Sequence, residues 1–457
     1  EFDVSWNTVI HSATAKTATG WSFEMKIPYS SIRFPNKNVQ EWNINFWRSV
    51  RRRREESTWN PIDPNVYGQI TQSGKLTGIE NIKPPLRLSF TPYATGYLEN
   101  SYDEASQQQT WKNRVTGGLD LKLGLNDAFT LDMTVIPDFG QTVSDRQVLN
   151  LGPFEIQYNE NRPFFLEGTD LFKIGDVFYS RRIGAAPYNY SLPYGELNDS
   201  IGERLISNTS VAPMINGTKI SGRTKNGLGI GVFNAIEGRT YAIIADSLGN
   251  ERKVQTNSLT NYNVFVLSQN LKNNSVISLV NTNVVREGGN RDANVTVGTA
   301  SFYTPNGKYR LSSDVRISSV FEEESSFGHA LNSSISKVAG KWRYYFEYGE
   351  ESDTYDPNDL GFLYNNNSRY YSAGLSWNNF KPSRHFYKRS ASLNWTHEEL
   401  YKPQRFSESY ISWNLGGLLK RQMYMNLSGN VSPFGEVDHF ESRHFGREVE
   451  FSPSTDI

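Results

Sequence analysis

"KYRLSSDVRISSVF" (308–321) decides the fold. Tyr309, Leu311, Val315, Ile317 and Phe321 fall on one face of an extended chain, while Lys308, Arg310, Ser312, Asp314, Arg316 and Ser318 fall on the other. Alternation with a period of two is a strand, and its length says which kind. A strand of a soluble sandwich runs to about 5–6 residues, whereas a tilted strand crossing a bilayer needs about 9–11. An apolar face long enough to meet lipid, backed by a polar face turned inward, is the pattern of a membrane barrel.

The same grammar extends in both directions. "KWRYYFEYGE" (341–350) sets Trp342, Tyr344, Phe346 and Tyr348 against Lys341, Arg343, Tyr345 and Glu347. "RQMYMNLSGNV" (421–431) sets Met423, Met425, Leu427 and Val431 against Tyr424, Asn426, Ser428 and Asn430. Similar segments lie near 86–98, 112–125, 127–136, 215–224, 228–237, 259–269, 275–286, 293–303, 327–337, 368–380, 384–397, 408–419 and 443–451. Turn chemistry joins them at Lys225-Asn226-Gly227, Lys272-Asn273-Asn274 and Pro305-Asn306-Gly307. No repeat period supports a propeller or a β-helix. The expected fold is all-β: a transmembrane antiparallel β-barrel of about 16 or more strands, preceded by part of a β-sandwich.

Composition agrees. Lys plus Arg total 47 and Asp plus Glu 48, so the net charge of −1 gives no argument for nucleic acid. The absence of cysteine removes thiol catalysis, thiolate metal sites and disulfides. No stretch approaches the roughly 18 apolar residues of a membrane helix, and the opening "EFDVSWNTVIHS" has no signal-peptide pattern. Both ends read as the interior of a longer protein.

Residues 1–82 have a different vocabulary. "GWSFEMKIPYSSIRF" (20–34) is a half-buried strand stopped by Pro28, and "EWNINFWRSVRRRREESTWNPID" (41–63) repeats the pattern before entering Arg51–Arg54. This is the expected closing half of a small β-sandwich. "KPPLR" (83–87) is a stiff joint that cannot continue a ladder, so the barrel is expected over 83–457.

The stretch 117–172 contains Pro137-Asp138-Phe139-Gly140-Gln141 and Arg162-Pro163-Phe164-Phe165-Leu166-Glu167-Gly168. With "YSRRIG" (179–184) and "YDPNDLGFLYNNN" (355–367), it resembles the outer-membrane family known as domain of unknown function 5916. In that family a domain similar to carbohydrate-binding module family 9 precedes the barrel, and residues 20–63 resemble its closing half. The resemblance implies the outer membrane of a Gram-negative cell and a sandwich of glycan-binding ancestry, with no established reaction.

Candidate sites follow from chemistry. Trp47 and Trp59 could stack on a pyranose face, or could be interface rings. Arg51–Arg54 could meet lipid phosphates, or pair with Glu55 and Glu56. Glu160 with Glu167, or Glu167 with Asp170, is tempting as a glycosidase pair, but Arg162, Arg181 and Arg182 favour ion pairs that hold the carboxylates ionised. His11, His329, His385, His397, His439 and His444 are dispersed, and "DTYDPND" (353–359) is rich in oxygen ligands, as a calcium-binding loop or as an ordinary acidic outer loop. No other cofactor is expected.

The longest stretch without alternation is 138–205. Within a barrel this wide the lumen is open unless filled, so the segment is expected to fold inward as a plug or constriction. Phe164, Phe165 and Phe172 would be buried together, and its charges paired with lumen residues. The expected partners are the lipid bilayer, a glycan-derived solute and other envelope proteins. The expected work is binding or passage of that solute without chemistry. An accessory or hydrolytic role in polysaccharide breakdown, or a structural role in envelope assembly, are the alternatives.

Overall fold

A computed structural model describes residues 9–32, 34–53, 55–84, 87–103, 108–139, 145–166, 168–289, 291–440 and 446–456. Glu167, Arg54, and Gly140 and Gln141 of the "PDFGQ" motif lie outside these residues.

Alternation builds one large antiparallel sheet. Its long strands are β1 (Leu88–Asp103), β2 (Gln108–Gly124), β3 (Phe129–Val135), β4 (Met214–Arg223), β5 (Leu228–Glu237), β6 (Thr260–Asn270), β7 (Val276–Arg286) and β8 (Asp292–Tyr303). They continue as β9 (Tyr309–Phe321), β10 (Ser326–Lys337), β11 (Trp342–Glu351), β12 (Ser368–Asn379), β13 (Phe386–Leu400), β14 (Arg405–Leu419) and β15 (Tyr424–Ser432). Three short strands, Glu436–Asp438, Val449–Phe451 and Ser454–Asp456, complete the eighteen. From β1 to β15 each strand pairs with the next one of the sheet, and even β3 and β4 pair directly although residues 136–213 separate them. At the two ends of the strand series β1 pairs with β2, and Ser454–Asp456 pairs with β15. Of the segment 443–451, expected as a full strand, the described residues 446–451 form a ladder over Val449–Phe451.

The two faces differ as the alternation requires. On β9, Leu311, Val315 and Ile317 are exposed outward, while Ser318 and Val320 are buried inward. Outward rings gather near both strand ends. Trp342, Tyr344 and Trp377 stand near one, with Tyr348 and Tyr371 toward the other, and Phe346, Leu375, Leu393 and Ile411 form the apolar band. At the first end the strands join through tight turns at 224–227, 271–275, 304–308 and 338–341. At the opposite end the links include the long loops 238–259 and 352–367. Inside 238–259, Thr240–Ala245 and Glu251–Asn257 pair with each other, and the first also with Arg204–Ser207. The sequence reading missed this small sheet.

Residues 9–82 form three two-stranded ladders among the described residues: His11–Lys16 with Trp21–Lys26, Val39–Ile44 with Gly74–Glu80, and Trp47–Val50 with Glu55–Thr58. Phe34 is buried with Trp42 and Tyr29 around it. Arg51–Arg53, expected to follow on a strand, instead make an exposed 3-10 turn. This region sits at the tight-turn end. The amide of Asn36 donates to Asp127 at 3.0 Å, the amide of Gly340 to the Asn65 carbonyl at 2.9 Å, and Arg343 to the Pro64 carbonyl at 2.7 Å.

Candidate functional site

The segment between β3 and β4 lies against the inner face of the sheet, and a buried ion pair pins its fold. Pro163 starts a single helical turn, Pro163–Leu166, after Glu160 has folded back on Arg162. The Glu160 carboxylate accepts from Arg162 Nε at 2.9 Å, Arg162 Nη2 at 2.7 Å and Ser180 Oγ at 2.6 Å, and also from the amides of Asn161 and Arg162. Arg162 spends its other donors on the carbonyls of Ile183 (2.6 Å) and Ser180 (2.7 Å). Its guanidinium lies over Phe165 at 4.2 Å and Phe139 at 5.1 Å. Burial alone would raise the Glu160 carboxyl, but Arg162 and Ser180 outweigh it and hold it below the usual carboxylate range. A carboxylate so fully engaged is held as an anion and is not poised to donate a proton.

The remaining charges follow suit. Arg181 donates to Asp145 at 2.7 Å, and Arg182 forks onto Glu155 with two contacts of 2.9 Å. Asp170 is exposed and apart from this pairing. In the 353–359 loop, Asp353 meets Lys402 at 3.4 Å, Asp356 meets Arg291 at 2.7 Å and Asp359 meets Arg286 at 2.8 Å. The oxygens proposed for calcium are thus occupied by cations of the chain. No cluster of three His, Asp or Glu set to hold a metal is found among the described residues.

The rings pack as a unit. Phe164, Phe165, Phe172 and Phe178 surround Phe233 of β5 with centroids 5.1–6.3 Å away. Phe165, Phe172 and Phe233 are buried with Val264, Val266, Val280, Val295 and Val297 from β6–β8. Gly217 of β4 is needed here, because a Cβ would stand 2.8 Å from the Phe164 ring. Beside it Lys219, 2% exposed, donates to the Phe164 carbonyl and lies under that ring at 4.6 Å. Over β4–β8 the inner face is therefore largely apolar, where the sequence reading expected polar residues throughout.

Toward the long loops the segment leaves a cavity of about 320 Å³ lined by Arg182, Tyr188, Glu237, Tyr262, Arg286 and Asp359. Glu237 accepts from Tyr262 at 3.0 Å and from the Gly184 amide at 2.5 Å, and Arg286 lies over Tyr188 at 4.9 Å. None of these strand-end residues was singled out from the sequence. The signal was there in Glu237 and Arg286, charged residues at inward positions of otherwise apolar strands.

On the other half of the wall the 352–367 loop packs over β9 and β10 near their loop end, with the Asp356 amide donating to Ser318 at 3.0 Å. Reading across β9–β15, register partners line up as Arg310, Ser336, Tyr345, Gly374, Asn394, Ser412 and Asn430. The row above reads Ser312, Ser334, Glu347, Ser372, Thr396 and Tyr410. This is a hydroxyl- and amide-rich surface with few fixed charges. Trp47 and Trp59 are exposed in the N-terminal region, with Phe46 edge-on to Trp59 at 6.0 Å.

An antiparallel array with apolar side chains outward between two girdles of rings, and a polar, partly filled interior, is the architecture of an outer-membrane β-barrel. The chain belongs to the family described as a domain of unknown function, DUF5916, whose profile matches residues 84–457. That match begins at the proline joint. No curated protein matches the chain. Among solved structures it is similar to Pseudomonas aeruginosa OpdK with vanillate, at 11% identity and a TM-score of 0.32, covering 83% of this chain and 91% of that one. P. aeruginosa OccK5 (OpdH) gives 11% and 0.31 over 81% and 95%, and Acinetobacter baumannii OccAB2 gives 9% and 0.30 over 83% and 86%.

Proposed function

We propose that this protein is an outer-membrane channel that passes a polar solute, with residues 138–205 as a partial plug. The observation that carries the reading is the asymmetry of the interior. The segment packs on the apolar inner face of β4–β8, whereas the inner face of β9–β15 is lined by serine, asparagine and tyrosine. Such a half-lumen favours a hydroxylated, glycan-derived solute, because short polar side chains exchange hydrogen bonds along a path without a deep binding minimum. Residues 1–82 would be the later strands of a glycan-binding sandwich, offering Trp47 and Trp59 as stacking platforms.

Conductance tests the plug. Removing 153–170 deletes the Glu160–Arg162 pin and the Phe164–Phe165 pair, and single-channel conductance in planar bilayers should rise several-fold. Unchanged conductance would sink the reading. Release of reducing sugar from a polysaccharide by the intact protein would instead favour a hydrolytic role.

A further inference from the structure

A second cavity, of about 400 Å³, lies at the tight-turn end where the N-terminal region meets the barrel. Its floor is part of the inner register row: Arg310, Ser336, Tyr345, Gly374 and Asn394. Its cover is Tyr67, whose ring lies 5.2 Å from that of Tyr303, the partner of Arg310 across β8 and β9.

The polar groups here are incompletely matched by protein. Arg310 Nε is buried and makes no hydrogen bond, and Ser336, 7% exposed, has a buried hydroxyl without a partner. Arg343 turns Nη2 to the Pro64 carbonyl and Nε to the Gly340 carbonyl. The carboxylate within the cavity, Glu347, is already used, accepting from Asn332 and Tyr370 at 2.8 Å each. Buried donors and hydroxyls are ordinarily satisfied, by protein, water or ligand. The Arg310 guanidinium meets the Tyr303 hydroxyl but no carboxylate among the described residues, and beside an orphaned hydroxyl and flat tyrosine faces it suits a ligand carrying both an anion and hydroxyls. The volume is within the roughly 300–1,000 Å³ range of small-molecule sites and suits a single sugar ring.

We propose that this cavity binds a sugar acid, a polyhydroxylated carboxylate of monosaccharide size. Its carboxylate meets Arg310, its hydroxyls meet Ser336 and Asn394, and Tyr67 covers it. The inference rests on the channel reading and adds the class of solute and the place where it pauses.

The test is calorimetric titration of the whole protein in detergent with sodium D-glucuronate, and with D-glucose as the neutral control. Glucuronate should bind, and glucose about tenfold or more weakly, the difference a charge-assisted hydrogen bond makes. Arg310→Gln should lose about tenfold in glucuronate affinity, Arg310→Lys should recover part of it, and Tyr67→Ala should weaken binding several-fold. Heat-modifiable gel migration checks that each variant retains the barrel. Equal binding of the two sugars, or native affinity in Arg310→Gln, overturns the site. Bilayer conductance separates the two readings. A conducting protein that ignores glucuronate removes the site alone, whereas a protein that binds glucuronate but does not conduct removes the channel.

Discussion

Arg162 can be buried only because Glu160 folds back onto it. The two side chains are 7% and 13% exposed, so their attraction is poorly screened, and loss of one partner would strand the other charge among phenylalanines. Removing one member of a buried pair typically costs about 3–5 kcal/mol. Glu160→Gln should therefore release the segment locally while the strands persist, seen as loss of amide hydrogen-exchange protection over 158–183 at neutral pH. The native protein should show the same loss in acid. The carboxyl is held below its unfolded value, so its contribution is full above the unfolded carboxylate value of about 4 and disappears as pH falls through the folded one. If Glu160→Gln kept native protection across that range, the pair would not be what holds the segment.

At the scale of elements, alternation and length located all fifteen long strands, because a strand with lipid on one side and water on the other must alternate. Two things were not legible. The inner face of β4–β8 is apolar because Phe164, Phe165, Phe172 and Phe178 pack on it, so in "YNVFVLSQN" (262–270) both faces read as core. The strands Thr240–Ala245 and Glu251–Asn257 hid within a loop, since a short ladder without a bilayer has no length signature. The catalytic temptation around Glu160 could be set aside from the neighbouring arginines, but the cavities were invisible, being assembled from strands far apart in sequence. Glycine placement shows the same dependence on partners. A Cβ on Gly374 would stand 2.2 Å from the Tyr345 ring, whereas one on Gly298 would meet nothing within 4 Å. Gly374→Ala should lower stability by about 1–3 kcal/mol in urea unfolding, and Gly298→Ala should stay within about 0.5 kcal/mol. Equal effects would mean that Tyr345 is not seated over Gly374.

The whole molecule carries a direction. Outer-membrane barrels turn tightly on the periplasmic side and carry their longer loops outside. Here the tight turns 224–227, 304–308 and 338–341 share an end with residues 9–82, and the loop 238–259 with its small sheet marks the other. The N-terminal region should therefore lie in the periplasm, which places the Tyr67-covered cavity at the exit and the cavity around Glu237 near the entrance. Because the chain has no cysteine, a single introduced thiol reports its side without background. Leu248 is 87% exposed in the long loop and Trp21 is 63% exposed in the N-terminal region. Leu248→Cys should react with a membrane-impermeant maleimide on intact cells, and Trp21→Cys only after the outer membrane is opened. The reverse pattern would invert the barrel, making the tyrosine-covered cavity the first site a solute meets and the plugged half of the loop end the last.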